Sequence, residues 1–584
     1  MKMNEKSSGF EISIAAAANI FFITAYVFYV LRVLALNTGA VMGPLYAAPA
    51  VVYSFLAAFS YMDSRILKQS FFNGVVRMSP ALFAFVILYM APFVAGLSLP
   101  SPHNLIQRKY ELIFGAAYVS FIFIMAAFLL WRVKKHVEPG ELSPARIFYL
   151  VLAFFFVFNF SLSFWFNYAN EPAGDEPAYI LVAHSILYDR DIDLKNNYEN
   201  GDYKRFYSRK LEPQGDNLNV KGKMYPKHPL LLPVIIAPIY FIAGVTGTSM
   251  LMCFFSALLA ALLFYLCYRV NEDKVSSVIA SMMAGFTLPV LLFVNLTSTD
   301  ILCAVVITAS YILLKFKPEK IIMFSIVMAL AVWVHIRIAP VYGALGLLFM
   351  IKHRTKPNEV FLFALIQAVS LGAFVAVNFY FYNDYIPYSS HQTEGLQFGT
   401  YFLKGLLVYL FDRQIGLFSY APVYLLFIPG IYFLYKGNRG VLMDFLIIFL
   451  PYYFMTAAYP YWGWGSSSPR YLLAVIFVLV AAVSVTLKEM RSAAAKVIFY
   501  SLAAVSGAIS FIVSCLPWFR WDMTGHENWI VYFLSSFTKL DFTVIFPSLI
   551  NISAHTVYAL TFWILAAGAV AAVYILKSNR IKRG

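Results

Sequence analysis

The sequence predicts an all-α polytopic membrane protein of about 16 transmembrane helices, with interfacial helices on its outer face. Three observations carry this. Of 584 residues, 61% are hydrophobic and 12% are charged, and a soluble fold cannot bury that much apolar surface. Apolar runs of roughly 16–25 residues recur from end to end, the length a bilayer-spanning helix needs. The runs are continuous and not alternating, so they fit helices and not a β-barrel.

Taken in order, the spans fall near 12–36, 40–60, 79–98, 112–131, 147–166, 249–268, 276–297, 301–316, 321–336, 338–351, 359–379, 416–435, 441–458, 471–487, 497–517 and 553–576. The N-terminal MKMNEKSSGFEIS leads into a full-length span without a convincing cleavage site, so no signal peptide is expected. Lysine and arginine set the orientation. With the N-terminus inside, the inner loops include WRVKKHVEPGELSPAR, YRVNEDK, KFKPEK, KHRTKPNE, KGNRG and KEMRSAAAK, and the tail KSNRIKRG is also inside. Each carries at least two basic residues, and the opposite phase would place all of them outside. The formal charge of +15 then reflects loops facing anionic lipid and not a nucleic-acid partner.

The segment 229–245, PLLLPVIIAPIYFIAGV, is the exception. Counting it as a span inverts everything downstream, and Pro229, Pro233 and Pro238 argue against a plain helix. It is expected to be interfacial or re-entrant on the outer side. The outer segments are then 167–248, the turn NLTSTD, about 380–415, YPYWGWGSSSPR at 459–470, and 518–552. No soluble domain is visible, so any chemistry belongs to the outer face or the membrane. The expected organisation is an extra four-helix segment at 1–146, a membrane core at 147–517, and an outer loop with a last helix at 518–584. The four cysteines are scattered singly inside apolar runs, which suits buried hydrophobes better than a metal or redox site. Walker A, HExxH and GxSxG patterns are missing from the sequence.

The candidate site residues all lie at the outer ends of spans. In NEPAGDEPAYILVAH, Asp175 suits a helix N-cap, with Glu176 and Pro177 in the first turn. Capping alone would account for both acids, while a surface site would need them beside cations. Asp300 closes the TSTD turn, again as a cap or as a second acid. Lys227 and His228, in GKMYPKHPLL, are either headgroup-level residues or phosphate ligands. His335 and Arg337, in WVHIRIAP, sit between two short apolar runs, where charge is costly and faces a cavity or a partner. Arg470 adjoins Tyr459, Tyr461, Trp462 and Trp464, an aromatic belt or a sugar-phosphate site. FDRQIGLFSYAP, with Asp412 and Arg413, is equally ambiguous.

The order GDEPAYILVAHSILYDRDIDLKNNY, YPKHPLLLPVIIAPIYF and LPVLLFVNLTSTDILCAVVITASYILL resembles the GT-C superfamily of integral membrane glycosyltransferases. That group includes protein O-mannosyltransferases and bacterial lipid A aminoarabinose transferases. The resemblance covers roughly residues 147–480. The family's acidic DE pair matches Asp175-Glu176, its K-P-P-like element matches PKHP with Lys227, and its later acid matches Asp300. The chain departs from the family in its four preceding spans, in lacking a soluble outer domain after the last span, and in carrying KHP.

The resemblance implies a GT-C-like core that transfers a sugar from a polyprenyl-phosphate donor to an acceptor hydroxyl on a lipid, glycan or protein, outside the membrane and with inversion. Asp175 would be the base, Asp300 would orient the acceptor or stabilise the sugar, and Glu176 would support them. Lys227, His228, His335, Arg337 and Arg470 would bind the donor phosphate. No cofactor is required. Two acids admit a divalent metal between Asp175 and Asp300 without demanding one. Segments 178–188 and 229–245 would groove the lipid chain. The competing reading is a lipid or polysaccharide transporter or flippase without catalysis, which would place charges midway along several spans. An O-antigen-ligase-like or acyl-transfer enzyme fits the DE loop and the TSTD turn less well.

Overall fold

The structure is a computed structural model. It describes residues 115–124, 126–127, 142–213, 219–220, 222–385, 396–459, 469–520, 545–549 and 552–581. The chain divides into two compact units, one comprising residues 1–138 with 160–169 and the other residues 139–159 with 170–584. The expected spans 12–36, 40–60 and 79–98 lie outside the described residues, and the expected span 112–131 is described at 115–124 and 126–127. In the first unit the helix Gly115–Ile124 is described, and Tyr118 Oη donates to the Ser161 carbonyl at 2.8 Å.

The regular structure among the described residues is helical except for one hairpin pairing Asn219–Val220 with Lys223–Met224. Nine of the described helices are long and apolar enough to cross a membrane. The chain therefore has the helix lengths and composition of a multi-pass membrane protein. In order the main helices are α1 (Pro144–Ala169), α2 (Glu176–Tyr188), α3 (Leu231–Asn271), α4 (Lys274–Phe286), α5 (Thr299–Phe316), α6 (Ala339–His353) and α7 (Pro357–Tyr382). Then follow α8 (Thr400–Phe411), α9 (Phe427–Gly437), α10 (Arg439–Ala457), α11 (Ile476–Lys488), α12 (Ala493–Cys515) and α13 (Ala554–Ile581).

Four expected spans are shorter or broken, among them 471–487, where a 3₁₀ turn Arg470–Val475 precedes α11. The 276–297 run ends its helix at Phe286, where Thr287 turns extended and a 3₁₀ turn Val290–Phe293 follows. The 321–336 run divides into Ile321–Ala329 and Ala331–Val334. The 416–435 run begins as Leu417–Tyr420 and a 3₁₀ turn before α9, with Pro422 at the junction. Conversely, the segment 380–415 contains α8, whose run YFLKGLLVYLF packs against α10.

The segment 229–245 departs from a re-entrant loop. Its residues from Leu231 onward form the first arm of α3, which is 41 residues long and so about twice the length a bilayer requires. The arm ends at a break. Ala243 leaves the helical region and Gly244 adopts φ 56°, ψ −146°, a conformation open to glycine. Leu232, Ile236, Ala237 and Tyr240 are buried, whereas Val234, Phe241 and Ile242 are exposed. The arm packs against α2, where Tyr240 joins Ile180, Leu181 and Val182 in an apolar cluster with Leu194, Tyr203 and Phe206.

The interior is closely packed. α5 and the segment Arg470–Lys488 that ends in α11 have 83% and 89% of their apolar windows buried, against 11% for α7. These two form the centre of the bundle, and α7 presents most of its surface outward. Close backbone approach needs glycine at two places. A methyl on Gly405 would lie 2.0 Å from the Ala457 carbonyl oxygen, and one on Gly430 2.2 Å from that of Ala482. All four cysteines are buried as free thiols.

Candidate functional site

Four side chains from four separate segments form one chain of charges at one end of the bundle. Asp175 occupies the N-cap of α2, with Pro177 in the first turn, but its side chain makes no capping hydrogen bond. The carboxylate is therefore not spent on capping the helix. That carboxylate instead accepts from Arg470 Nη2 through Oδ2 at 3.1 Å, and its Oδ1 lies 3.8 Å from His228 Nε2.

Asp300 stands in the first turn of α5 and is fully buried. Arg470 Nε donates to its Oδ2 at 2.9 Å, and Arg337 Nη2 donates to its Oδ1. Arg337 comes from the 3₁₀ turn Ile336–Ile338, which His335 caps by accepting from the Arg337 backbone N–H at 3.2 Å. Its guanidinium also lies over the Tyr471 ring, 5.3 Å from the centroid. Arg337 Nε is buried with no hydrogen-bond partner among the described residues. Arg470 opens the 3₁₀ turn Arg470–Val475 directly after Pro469. The order is therefore Asp175, Arg470, Asp300, Arg337, two carboxylates alternating with two guanidiniums. Buried charge is stable only with such pairing.

Glu176 turns the other way. It is buried and accepts from the Ala173 N–H at 3.0 Å and the Thr297 N–H at 2.8 Å. It thereby holds the loop that delivers Asp300. Arg520 holds the same loop from the other side, donating to the Leu292 carbonyl at 2.7 Å and to Asn295 Oδ1 at 2.6 Å. Arg520 was not singled out by its sequence. WFR after an apolar run carries the same signal as any residue of an aromatic belt, and only the tertiary contacts separate the two.

The electrostatics follow from these partners. Burial disfavours the Asp175 carboxylate, but the charges of His228 and Arg470 outweigh it and hold its carboxyl well below the usual range. Burial pushes Glu176 up, partly offset by its Ala173 hydrogen bond and by Arg520. Burial lowers His228 despite the pull of Asp175, and it lowers His335 further with the help of Arg337. Burial also pushes the Arg520 guanidinium down to about 10, with Glu176 opposing the shift.

Lys227 stands beside this chain and makes no ion pair among the described residues. Together with His228 it lines two clefts. One is an apolar groove running between Val332, Trp333 and, on α7, Phe374 and Val377. The other is smaller and is walled by Ala178, Tyr198 and Tyr225. Tyr382 Oη donates to the Pro226 carbonyl at 2.6 Å, fixing the loop between them.

All eight candidate residues are described. Asp175, Asp300, Arg337 and Arg470 meet directly, His228 and His335 flank them, Lys227 is at the groove, and Glu176 faces the supporting loop. Among the sequence candidates Tyr461, Trp462 and Trp464 lie outside the described residues. Asp412 belongs elsewhere. It is buried and accepts from the backbone N–H groups of Gln414 at 2.7 Å and Leu549 at 2.8 Å, which ties residues 411–416 to 547–549. A divalent cation does not fit between Asp175 and Asp300, because Arg470 already bridges them. Among the described residues no group of three His, Cys, Asp or Glu side chains is placed to hold a metal ion. No family model, curated protein or solved structure matches this chain.

Proposed function

We propose that this protein transfers a sugar from a polyprenyl-phosphate donor to an acceptor hydroxyl on the outer face of a cell membrane, inverting the anomeric carbon. The reading includes a GT-C-like core, about sixteen spans and cytoplasmic termini. The observation that carries it is the convergence of Asp175 and Asp300 on Arg470, next to a lysine at the head of an apolar groove. A sugar-phosphate lipid has that shape: an anion, a polar ring and a long apolar tail.

In this reading the tail lies along Trp333, Phe374 and Val377, and the phosphate meets Lys227, which makes no ion pair among the described residues. Arg337 and Arg470 are held by Asp300, so they are fixed in place and are not free ligands for the phosphate. The acceptor oxygen attacks the anomeric carbon as the carbon–oxygen bond to phosphate breaks. The electron pair leaves with the phosphate, a leaving group that needs no acid. The acceptor proton passes to the Asp175–His228 pair. Asp300, fully enclosed, positions the two arginines and does not meet the acceptor.

The test uses membrane vesicles and tritiated sugars on polyprenyl phosphates. Wild type transfers label to a membrane or glycan acceptor. Asp175→Asn loses the activity, and Lys227→Gln loses about 10²-fold with an unchanged thermal midpoint. Full transfer by Asp175→Asn would sink the reading. Asn200→Cys checks the orientation, since the four native cysteines are buried. An impermeant maleimide labels it from outside, and labelling from the cytoplasmic side alone overturns the topology.

A further inference from the structure

The Asp175–His228 pair holds more detail than a shared role. Asp175 Oδ2 is taken by Arg470 at 3.1 Å, and Oδ1 faces His228 Nε2 at 3.8 Å. That gap is too long for a direct hydrogen bond. At that distance the carboxylate acts on the imidazole through its charge. The imidazole is set in place by the Tyr179 ring, with centroids 4.8 Å apart, and by the loop that Tyr382 anchors at Pro226. His228 also lines both clefts, so it stands where a donor in one and an acceptor in the other would meet.

We propose that His228 is the general base of the transfer, with Asp175 as its positioning carboxylate; this rests on the glycosyl-transfer reading above. The acceptor hydroxyl donates its one hydrogen to His228 Nε2, with the Asp175 carboxylate beside the ring. Its O–H bond breaks and the proton goes to Nε2, while its oxygen bonds to the anomeric carbon. The bond from that carbon to the phosphate oxygen breaks, and the electron pair leaves with the phosphate. The imidazolium formed is offset by the Asp175 carboxylate and gives its proton to water after product leaves. Asp175 alone is a poor base because Arg470 binds its charged form. A buried, neutral imidazole is ready to accept a proton.

Among the described residues, charged and titratable groups facing His228 include Asp175 and Tyr179 at the start of α2, Lys227 on its own loop, Arg470 on the 470–475 turn, and His335. Protonation of His228 removes the base, so transfer rises with pH and levels off above its pKa, which burial sets below the ordinary 6.5.

Two measurements decide it on the full-length protein in nanodiscs. The first follows the ring signals of labelled histidines by NMR against pH, with His228→Gln assigning the signal. Asp175→Asn is expected to move the His228 titration further down, and an unmoved titration overturns the pairing. The second records transfer from tritiated polyprenyl-phosphate hexoses against pH. His228→Gln is expected to fall about 10²–10⁴-fold in kcat, with the donor KM within a few-fold and the rising limb gone. A His228→Gln enzyme that keeps the limb overturns the base while leaving the transferase reading intact. A wild type inert toward every donor overturns both.

Discussion

Two aspartates in this protein are equally buried and are held in opposite ways. Asp412 is bound by backbone N–H groups at Gln414 and Leu549. Asp300 is bound by two guanidiniums, from Arg337 and Arg470. Backbone donors fix the shape of a chain, so Asp412 is a splice between two loops. Side-chain cations from remote segments fix a charge pattern, at the cost of desolvating four ionic groups. A fold needs the first arrangement for its own stability. The second is retained where an arrangement of charge is itself the product.

Removing one member from each site separates them. Arg470→Ala leaves both Asp175 and Asp300 short of a partner. It is expected to lose about 3–5 kcal/mol of stability and all transfer, read by thermal unfolding and by the tritiated-sugar assay. Asp412→Asn removes one acceptor from the splice. The expected loss is about 1–3 kcal/mol, with transfer per folded molecule unchanged. A fall in specific transfer there would erase the distinction between the two sites. The smallest effect is a pH dependence. Asp175 has a lowered folded pKa, so its contribution is fully present above the ordinary carboxylate value of 3.8 and is lost as pH falls below it. Asp175→Asn flattens that acid limb of the thermal midpoint, whereas Asp412, whose carboxyl burial pushes up, does not contribute to it.

The long helices were legible because length and apolarity are local properties. Pro144–Ala169, Pro357–Tyr382 and Ala493–Cys515 all match apolar runs within a few residues. The breaks were less legible. Thr287 and the 417–426 stretch lie within runs as apolar as any helix, and only packing decides where the backbone leaves the helical region. The same holds for α8, whose Lys404 and Gly405 made it read as part of a loop. In the site, Asp175, Asp300, Arg337 and Arg470 could each be named from charge at the end of a span. Their pairing could not, because Asp175 and Arg470 lie 295 positions apart. The sequence resemblance assigns Asp175 the base's role and Glu176 a supporting one, and the fold turns Asp175 toward Arg470 and Glu176 toward Thr297. Arg520 stayed hidden for a related reason: its partners, the Leu292 carbonyl and the Asn295 side chain, lie 228 and 225 positions away.

The glycine contacts have a mechanical consequence. At Gly405 and Gly430 one helix rests on the carbonyl oxygens of another, α8 on α10 and α9 on α11, with no side chain between to act as a bearing. Such joints leave no slack for one helix to slide past its neighbour. Alternating access depends on half of a bundle rocking against the rest, and these joints work against it. A frame locked in this way suits a protein whose substrates come and go around a fixed point, and whose moving parts are the substrates themselves.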